Sequence, residues 1–296
     1  MDSSSPMHVP VMLDEVIEWL DPQPGQILVD GTLGGGGHTL ALAEKVGLSG
    51  LVLSLDRDPA ALEAAERKLK GQPVKLVHSN YCELDEVLRQ LDIEAVDGIL
   101  VDLGLSSDQL ADPGRGFGFD TSGALDLRFD PDEGQPAWQM IEELSADDLA
   151  DLIYKFGEER FSRRIARKIV EQRKTEPVRT ATQLADLVRR CVPRSRDSRR
   201  IDPATRTFQA LRIAVNDELG SLERALASFA DCLRENGRVA AISFHSLEDR
   251  IVKTAFRENP RFENLTKKPL RPSEAEVLRN PRARSARLRV ARRTAS

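Results

Sequence analysis

Four consecutive glycines, Gly34 to Gly37, stand after Val29-Asp30-Gly31-Thr32-Leu33 and before His38. Such a run allows a tight turn and lets backbone approach a ligand where a Cβ would intrude. The spacing matches only part of the G-x-G-x-x-G pattern that seats a pyrophosphate on a helix N-terminus. No Gly-Lys-Ser/Thr follows, so a P-loop is excluded. A methyl donor made of an amino-acid end, a ribose and an adenine has no phosphate to seat, and a compact glycine turn with acids nearby suits it. Asp56, 26 residues after Asp30, can accept hydrogen bonds from ribose hydroxyls. A nicotinamide dinucleotide would use the same acid, and Asp56 can instead cap the helix that starts near Pro59. Gly31 and Gly34 can likewise be plain turn residues. Tyr81 is placed either to cover an adenine ring or to pack half-buried.

Two further segments carry chemistry. Asp102-Leu103-Gly104-Leu105-Ser106-Ser107-Asp108-Gln109 follows an apolar run, and Asp102 can accept a hydrogen bond from a substrate amine or from a cofactor ammonium. Ser243-Phe244-His245-Ser246-Leu247-Glu248-Asp249-Arg250 follows another. His245 is the best placed of the four histidines, as a substrate-orienting group or as a structural hydrogen-bonding residue. The chain has no G-x-S-x-G elbow for a serine hydrolase, and His245 has no second His or Cys at metal-ligand spacing. Arg115-Gly116-Phe117-Gly118-Phe119 is an arginine and aromatic segment of the kind that stacks on bases, with core packing of the two rings as the alternative.

These residues need a scaffold that brings strand ends together. Ile27–Asp30, Leu51–Asp56, Val74–Val77 and Val96–Leu103 read as buried strands, with helices from about His38 to Lys45 and from Pro59 onward between them. That βαβ rhythm predicts an α/β fold with a mostly parallel sheet covered by helices on both faces. Ligands of such sheets bind beyond the carboxyl ends of the strands, where all three segments fall. From about Ser107 to Arg212 the rhythm gives way to a loop rich in Gly, Asp and Pro and to helices over 146–154, 160–174, 181–191 and 205–216. A further helix around 217–233 leads back to a strand over 237–244, and 288–291 reads as a last edge strand. The organisation expected is a sheet domain over 1–107 and 214–296, with an all-helical insertion over 108–213. The tail from Pro269 to Arg287 reads as a loop that RNA would order.

Charge separates along the chain. Residues 160–212 hold sixteen basic against five acidic side chains, and residues 267–296 ten against two, within a net charge of -5. The remainder is strongly acidic. Such asymmetry points to a polyanion held on one face, with nucleic acid the first candidate, or simply to basic solvated helix faces. Cys82, Cys191 and Cys232 are odd in number and lack CxxC spacing, which excludes a disulfide framework or a zinc site and fits a reducing compartment. The first ten residues have no basic stretch leading into an apolar run, so no secretory leader is expected. No apolar stretch reaches the roughly 20 residues that cross a bilayer.

His8-Val9-Pro10-Val11-Met12, Asp30 to His38, Asp56-Arg57-Asp58-Pro59, Asp102 to Gln109, Arg115 to Phe119, Leu125-Asp126-Leu127-Arg128, Gly157-Glu158-Glu159-Arg160, Pro203 to Gln209, Ser243 to Arg250 and Asn280 to Ser285 occur in this order over nearly the whole chain. In this series the chain resembles the bacterial 16S ribosomal RNA cytosine-N4 methyltransferases. The resemblance implies a Rossmann-like methyltransferase domain interrupted by a helical, RNA-binding one. It implies S-adenosyl-L-methionine as cofactor and transfer of its methyl group to the N4 amine of the cytidine at position 1402, in the usual RNA numbering. The partner implied is 16S ribosomal RNA within the small ribosomal subunit, in the cytoplasm, with no membrane and no DNA. By matching motif, cofactor contacts carry over to Gly36, Gly37, His38, Asp56, Tyr81, Asp102 and Gln109. The chain departs from the family pattern at Asp202, where His is usual, at Gly118, where Ser is common, and at Ala124, where Pro is usual.

Chemistry adds expected catalytic roles. The N4 lone pair of cytosine is delocalised into the ring, so acceptors for its hydrogens are needed to localise it. Asp102, or a backbone carbonyl between Leu103 and Ser106, is the expected acceptor, and His245 is expected to orient an unstacked base.

Overall fold

The computed structural model describes residues 10–193 and 202–295; His8 and Val9 of the first motif lie outside them. The chain divides into two compact units, residues up to Ser107 with those from Leu219 onward, and Asp108–Glu218.

The first unit is a seven-stranded sheet in the order β3-β2-β1-β4-β5-β7-β6. Its strands are β1 (Ile27–Asp30), β2 (Leu51–Asp56), β3 (Val74–His78), β4 (Val96–Asp102), β5 (Leu233–Ser243), β6 (Phe262–Asn264) and β7 (Arg287–Arg293). The first five run parallel, and β7 pairs antiparallel with β5 and β6. The mostly parallel α/β sheet predicted by the βαβ rhythm, Rossmann-like as the resemblance implies, is therefore the one observed. Alternate side chains feed two cores, as the period of a strand requires. Val29, Leu53, Ile99, Val101, Val239 and Ala241 pack beneath α4 (Leu84–Gln90), α11 (Glu218–Cys232) and α12 (Ser246–Glu258). Leu28, Val52, Leu100, Ala240 and Ile242 pack beneath α1 (Leu13–Leu20) and α2 (Gly37–Val46). Strand order reverses between β1 and β4, so a crevice opens where the segments after these two strands diverge. No helix among the described residues is long and apolar enough to cross a membrane.

Two expectations for the C-terminal part are corrected. Residues 288–291 are not an edge strand: β7 lies inside the sheet, and the edge is β6, whose three residues are too few to show a pattern. The stretch from Pro269 to Arg287 is ordered by the protein itself. It forms α13 (Glu274–Arg279) and a 3₁₀ turn over Pro281–Ser285. Ser273 caps α13 by accepting the Glu276 N–H, the Glu276 carboxylate accepts the Met12 N–H at 2.6 Å, and Ala283 and Ala286 are fully buried.

The second unit is helical, with α6 (Ala137–Glu143), α7 (Ala146–Gly157), α8 (Ser162–Gln172), α9 (Ala181–Cys191) and α10 (Thr205–Asn216). The remaining helix, α5 (Ser107–Ala111), begins on the last residue of the sheet unit. Ile153, Ile165, Ile169, Leu184, Val188 and Leu211 form the helical core. A capping box between Thr180 and Gln183 starts α9, the reciprocal bonding that satisfies two orphan donors of a first turn. Arg115 to Phe119 packs within the helical unit. The Arg115 guanidinium donates to the Arg128 and Phe129 carbonyls at 2.7 Å, Phe117 stacks on Phe129, and Phe119 meets Phe208 edge-on. Asp202 stands where the family motif usually carries His and pairs with Arg189 at 2.7 Å; it also accepts the Ala204 N–H at the start of α10.

Candidate functional site

β1 delivers Asp30 fully buried at its carboxyl end. One carboxylate oxygen accepts the Thr32 N–H at 3.1 Å, the other the Thr39 hydroxyl at 2.7 Å, and Thr39 continues to the Ser54 hydroxyl at 2.9 Å. This buried network pins the start of the glycine turn to α2, the helix it feeds. Gly34 and Gly36 adopt left-handed backbone, φ 47° and 70°, which glycine accepts without penalty. At Gly31 the reason for glycine is close approach: a Cβ there would sit 2.9 Å from the Tyr81 Cβ and 3.1 Å from Val101. Gly36 caps α2 and Gly37 opens it.

Asp56, at the end of β2, accepts the Gly34 N–H at 2.8 Å with one oxygen and the Asp58 N–H at 2.9 Å with the other. The cap of the following helix, α3 (Pro59–Lys68), is Asp58, which accepts the Ala60 N–H. Asp56 is thus tied to the glycine turn and is not the helix cap. Burial pushes its pKa up to about 6, against the lowering effect of those two N–H donors.

Asp102 ends β4, the strand beside β1. Its own N–H donates to the Thr32 hydroxyl at 2.7 Å, which locks the acid to the glycine turn. One carboxylate oxygen lies 3.7 Å from Nδ1 of His38. His38 is itself oriented by its Nε2, which donates to the Val11 carbonyl at 2.9 Å and so leaves Nδ1 toward the acid. The other Asp102 oxygen, Oδ1, is buried and makes no hydrogen bond among the described residues. Burial raises Asp102 to about 6, while the neighbouring His38 draws it down. A buried carboxylate oxygen without a donor is costly; this one has the chemistry to receive a cationic or N–H group from a ligand.

Tyr81 opens the 3₁₀ turn Tyr81–Glu83 after β3, held by the Asn80 side chain, and lies against Gly31. His245 follows β5, whose Ile242 pairs with Asp102. Its ring is the N-cap of α12: Nδ1 accepts the Glu248 N–H, and the Glu248 carboxylate accepts the Phe244 and His245 N–H groups. His245 Nε2 lies 3.0 Å from Glu248 but makes no hydrogen bond in line with its N–H.

The sheet unit therefore brings Gly36, Gly37, His38, Asp56, Tyr81 and Asp102 together at the ends of β1 to β4, with His245 one strand over. Gln109 is buried in α5, on the helical unit's side of the division. Three participants escaped the sequence reading: Thr32, Thr39 and Arg282, the last of which donates to the Leu105 carbonyl and the Ser107 hydroxyl. Thr32 and Thr39 lie within the glycine motif and carry the hydroxyls a buried acid needs. Arg282 lies in the Asn280–Ser285 motif, but nothing local marks it as reaching the turn after β4. No group of three or more metal-ligating side chains occurs among the described residues. A buried acceptor beside a glycine turn, with a second acid tied to the same turn, fits the amino-acid and ribose ends of a nucleoside methyl donor.

Comparison with known proteins gives the family of the chain. The profile of the MraW methylase family matches residues 5–294. The chain is 53% identical over 297 residues to the ribosomal RNA small subunit methyltransferase H of Rhodopirellula baltica, covering 97% of this chain and 91% of that protein. It is 47% identical over 304 residues to the protein of the same description from Geotalea uraniireducens, covering 96% and 97%.

Proposed function

The chain belongs to the MraW methylase family, and from that membership we propose how its residues divide the work of methylating ribosomal RNA. It is an S-adenosyl-L-methionine-dependent methyltransferase acting on the N4 amine of a 16S ribosomal RNA cytidine, at position 1402 by the family resemblance. When bound, the donor supplies a methyl group on a sulfonium, open to in-line attack. The chain's own residues hold and align the two partners, which is where most of the acceleration of such a displacement arises.

The observation that carries the assignment is the buried Oδ1 of Asp102 beside the glycine turn, which has no hydrogen-bond partner among the described residues. Asp102 takes the donor's ammonium group, with His38 fixed behind it by Val11. Asp56, already holding Gly34, keeps lone pairs for the ribose hydroxyls, and Gly36 and Gly37 let the donor approach. Tyr81 covers the adenine, and the contribution of Gln109 carries over from the family motif alone. With Asp102 engaged by the donor, the hydrogens of the N4 amine fall to backbone carbonyls of the turn Leu103–Ser106. His245, fixed as the cap of α12, orients the base. Direct acceptance of an amine hydrogen by Asp102 is the competing assignment.

RNA within the small ribosomal subunit is the partner proposed, which places the reaction in the cytoplasm. In the helical unit Arg164, Arg167, Lys168 and Arg190 line one cleft between α8 and α9, with three of them grouped around the buried Cys191. Glu171, Glu176 and Asp186 line the same cleft, so the basic side chains offer only a small excess of positive charge to backbone phosphates, whose binding would weaken with salt.

The test incubates purified protein, labelled donor and small ribosomal subunits, followed by nucleoside analysis. Label in N4-methylcytidine is expected; no label on subunits at any stage of assembly refutes the reading. Asp102→Asn separates the two roles of that acid. Loss of one charge-assisted contact, worth about 1.5–3 kcal/mol, weakens donor binding by roughly ten- to a hundredfold. A normal single-turnover rate at saturating donor then confines Asp102 to donor binding; unchanged donor affinity with a collapsed rate makes it the amine acceptor.

A further inference from the structure

Arg282 comes from the 3₁₀ turn Pro281–Ser285, in the basic tail that composition alone offers to RNA. Its guanidinium is directed inward. One nitrogen donates to the Leu105 carbonyl and another to the Ser107 hydroxyl, both in the turn that leaves β4 directly after Asp102. That turn needs a fastener. Gly104 within it has φ 102°, a backbone state closed to other residues, and is flanked by Phe244. The base from which Arg282 reaches is rigid, since Ala283 next to it is fully buried and the Asn280 N–H donates to the Glu276 carbonyl. The same tail segment holds the opposite side of the constellation. The Glu276 carboxylate takes the Met12 N–H, and the adjoining Val11 carbonyl takes His38 Nε2–H.

We propose that Arg282 is a positioning residue for methyl transfer: it clamps the Leu105–Ser107 turn that presents acceptors to the amine, and it supplies positive charge toward the Asp102 carboxylate. The charge part rests on the donor-binding role of Asp102 argued above. The groups that face Asp102 come from four elements. His38 on α2 and Arg282 favour its ionised form, while Asp30 on β1 and Glu248 on α12 oppose it. Removing Arg282 leaves His38 alone against two acids. The bidentate fork on a carbonyl and a hydroxyl is a geometry that lysine cannot reproduce.

The experiment uses the full chain with Arg282→Met and Arg282→Lys, measuring melting temperature, donor Kd from pH 5 to pH 8, and kcat and KM on small ribosomal subunits. For Arg282→Met the midpoint of the pH dependence of donor binding moves up. Affinity at the wild-type midpoint falls several-fold, since a shift of one unit corresponds to about tenfold. For Arg282→Lys the midpoint returns to that of wild type while kcat stays reduced, because charge is restored and the clamp is not. A lowered melting temperature with unchanged midpoint and unchanged kcat overturns the proposal and leaves Arg282 a stabilising residue only. If Arg282→Met does not fold, Arg282→Lys decides: wild-type kcat overturns the clamp. Asp102→Asn in the same titration keeps the two readings apart. If it leaves donor Kd unchanged, the donor role of Asp102 fails; if it weakens binding while Arg282→Met moves nothing, the role of Arg282 fails alone.

Discussion

At the carboxyl end of the sheet, Asp56 and Asp102 are tied to backbone groups and an imidazole, and burial lifts both to about 6. In the helical unit Asp202 is also partly buried, and burial pulls it upward too. There, however, hydrogen bonds and charge from Arg189 outweigh the burial and hold the carboxyl below its usual range. The difference lies in what completes each acid. Asp202 has its cation in the chain, so it stabilises the fold. Asp102 has charge nearby from Arg282 but, among the described residues, an oxygen with no hydrogen-bond donor, and a ligand is expected to supply one. The carboxyl end of the sheet carries an electrostatic cost of the kind expected where pKa values are displaced for function, and the proposed donor would relieve it.

The strongest way to break this comparison is to crowd the sheet edge without touching its acids. Gly31→Ala brings a methyl against the Tyr81 Cβ and Val101. Neither neighbour can yield cheaply, so a loss of about 1–3 kcal/mol of stability is expected, together with at least a tenfold loss of donor affinity by calorimetry. Unchanged affinity would show that the glycine turn does not shape the donor site.

Proton linkage sharpens the contrast next. Between about pH 4 and pH 6 the folded chain keeps protons on Asp56 and Asp102 that the unfolded chain has released. Their contribution to stability is therefore full below about pH 4 and is lost as pH rises through 6. Asp202 has the opposite sign: its contribution is present at neutral pH and is lost as pH falls below the ordinary carboxylate range. A cationic donor prefers ionised Asp102, so donor affinity rises as pH rises through about 6, by up to about tenfold per unit on the acid side for a single group. Calorimetry from pH 5 to pH 8 checks this, and Asp102→Asn should flatten the dependence. A dependence that survives Asp102→Asn unchanged assigns it to Asp56.

The smallest effect is expected at Asp202. Asp202→Ala breaks a partly buried ion pair and the Ala204 anchor of α10; a loss of about 1 kcal/mol is expected, with donor Kd unaltered. A changed donor Kd would erase the distinction between the two groups of acids.

Much of this was legible because it is local. Buried apolar runs ending in an acid marked β1, β2 and β4, and glycines before a helix marked the turn, since strand period and backbone sterics act over a few residues. Asp56 was legible as a candidate site acid, but not its bond to Gly34, because the two are joined only when β1 and β2 pair. Phe117 and Phe119 could have stacked on bases or packed, and only the positions of Phe129 and Phe208 settle that. β6, three residues long, left no pattern.

By itself the sequence determined the fold class, the chemical character of the glycine turn and the family, because these depend on residue type at short spacing. Tertiary structure decided which acid lacks a partner, that His245 caps a helix, and that an arginine of the basic tail is turned inward onto the Leu105–Ser107 turn. Those outcomes depend on burial and on partners as much as 177 residues away, and no local spacing encodes which donor will reach a buried oxygen.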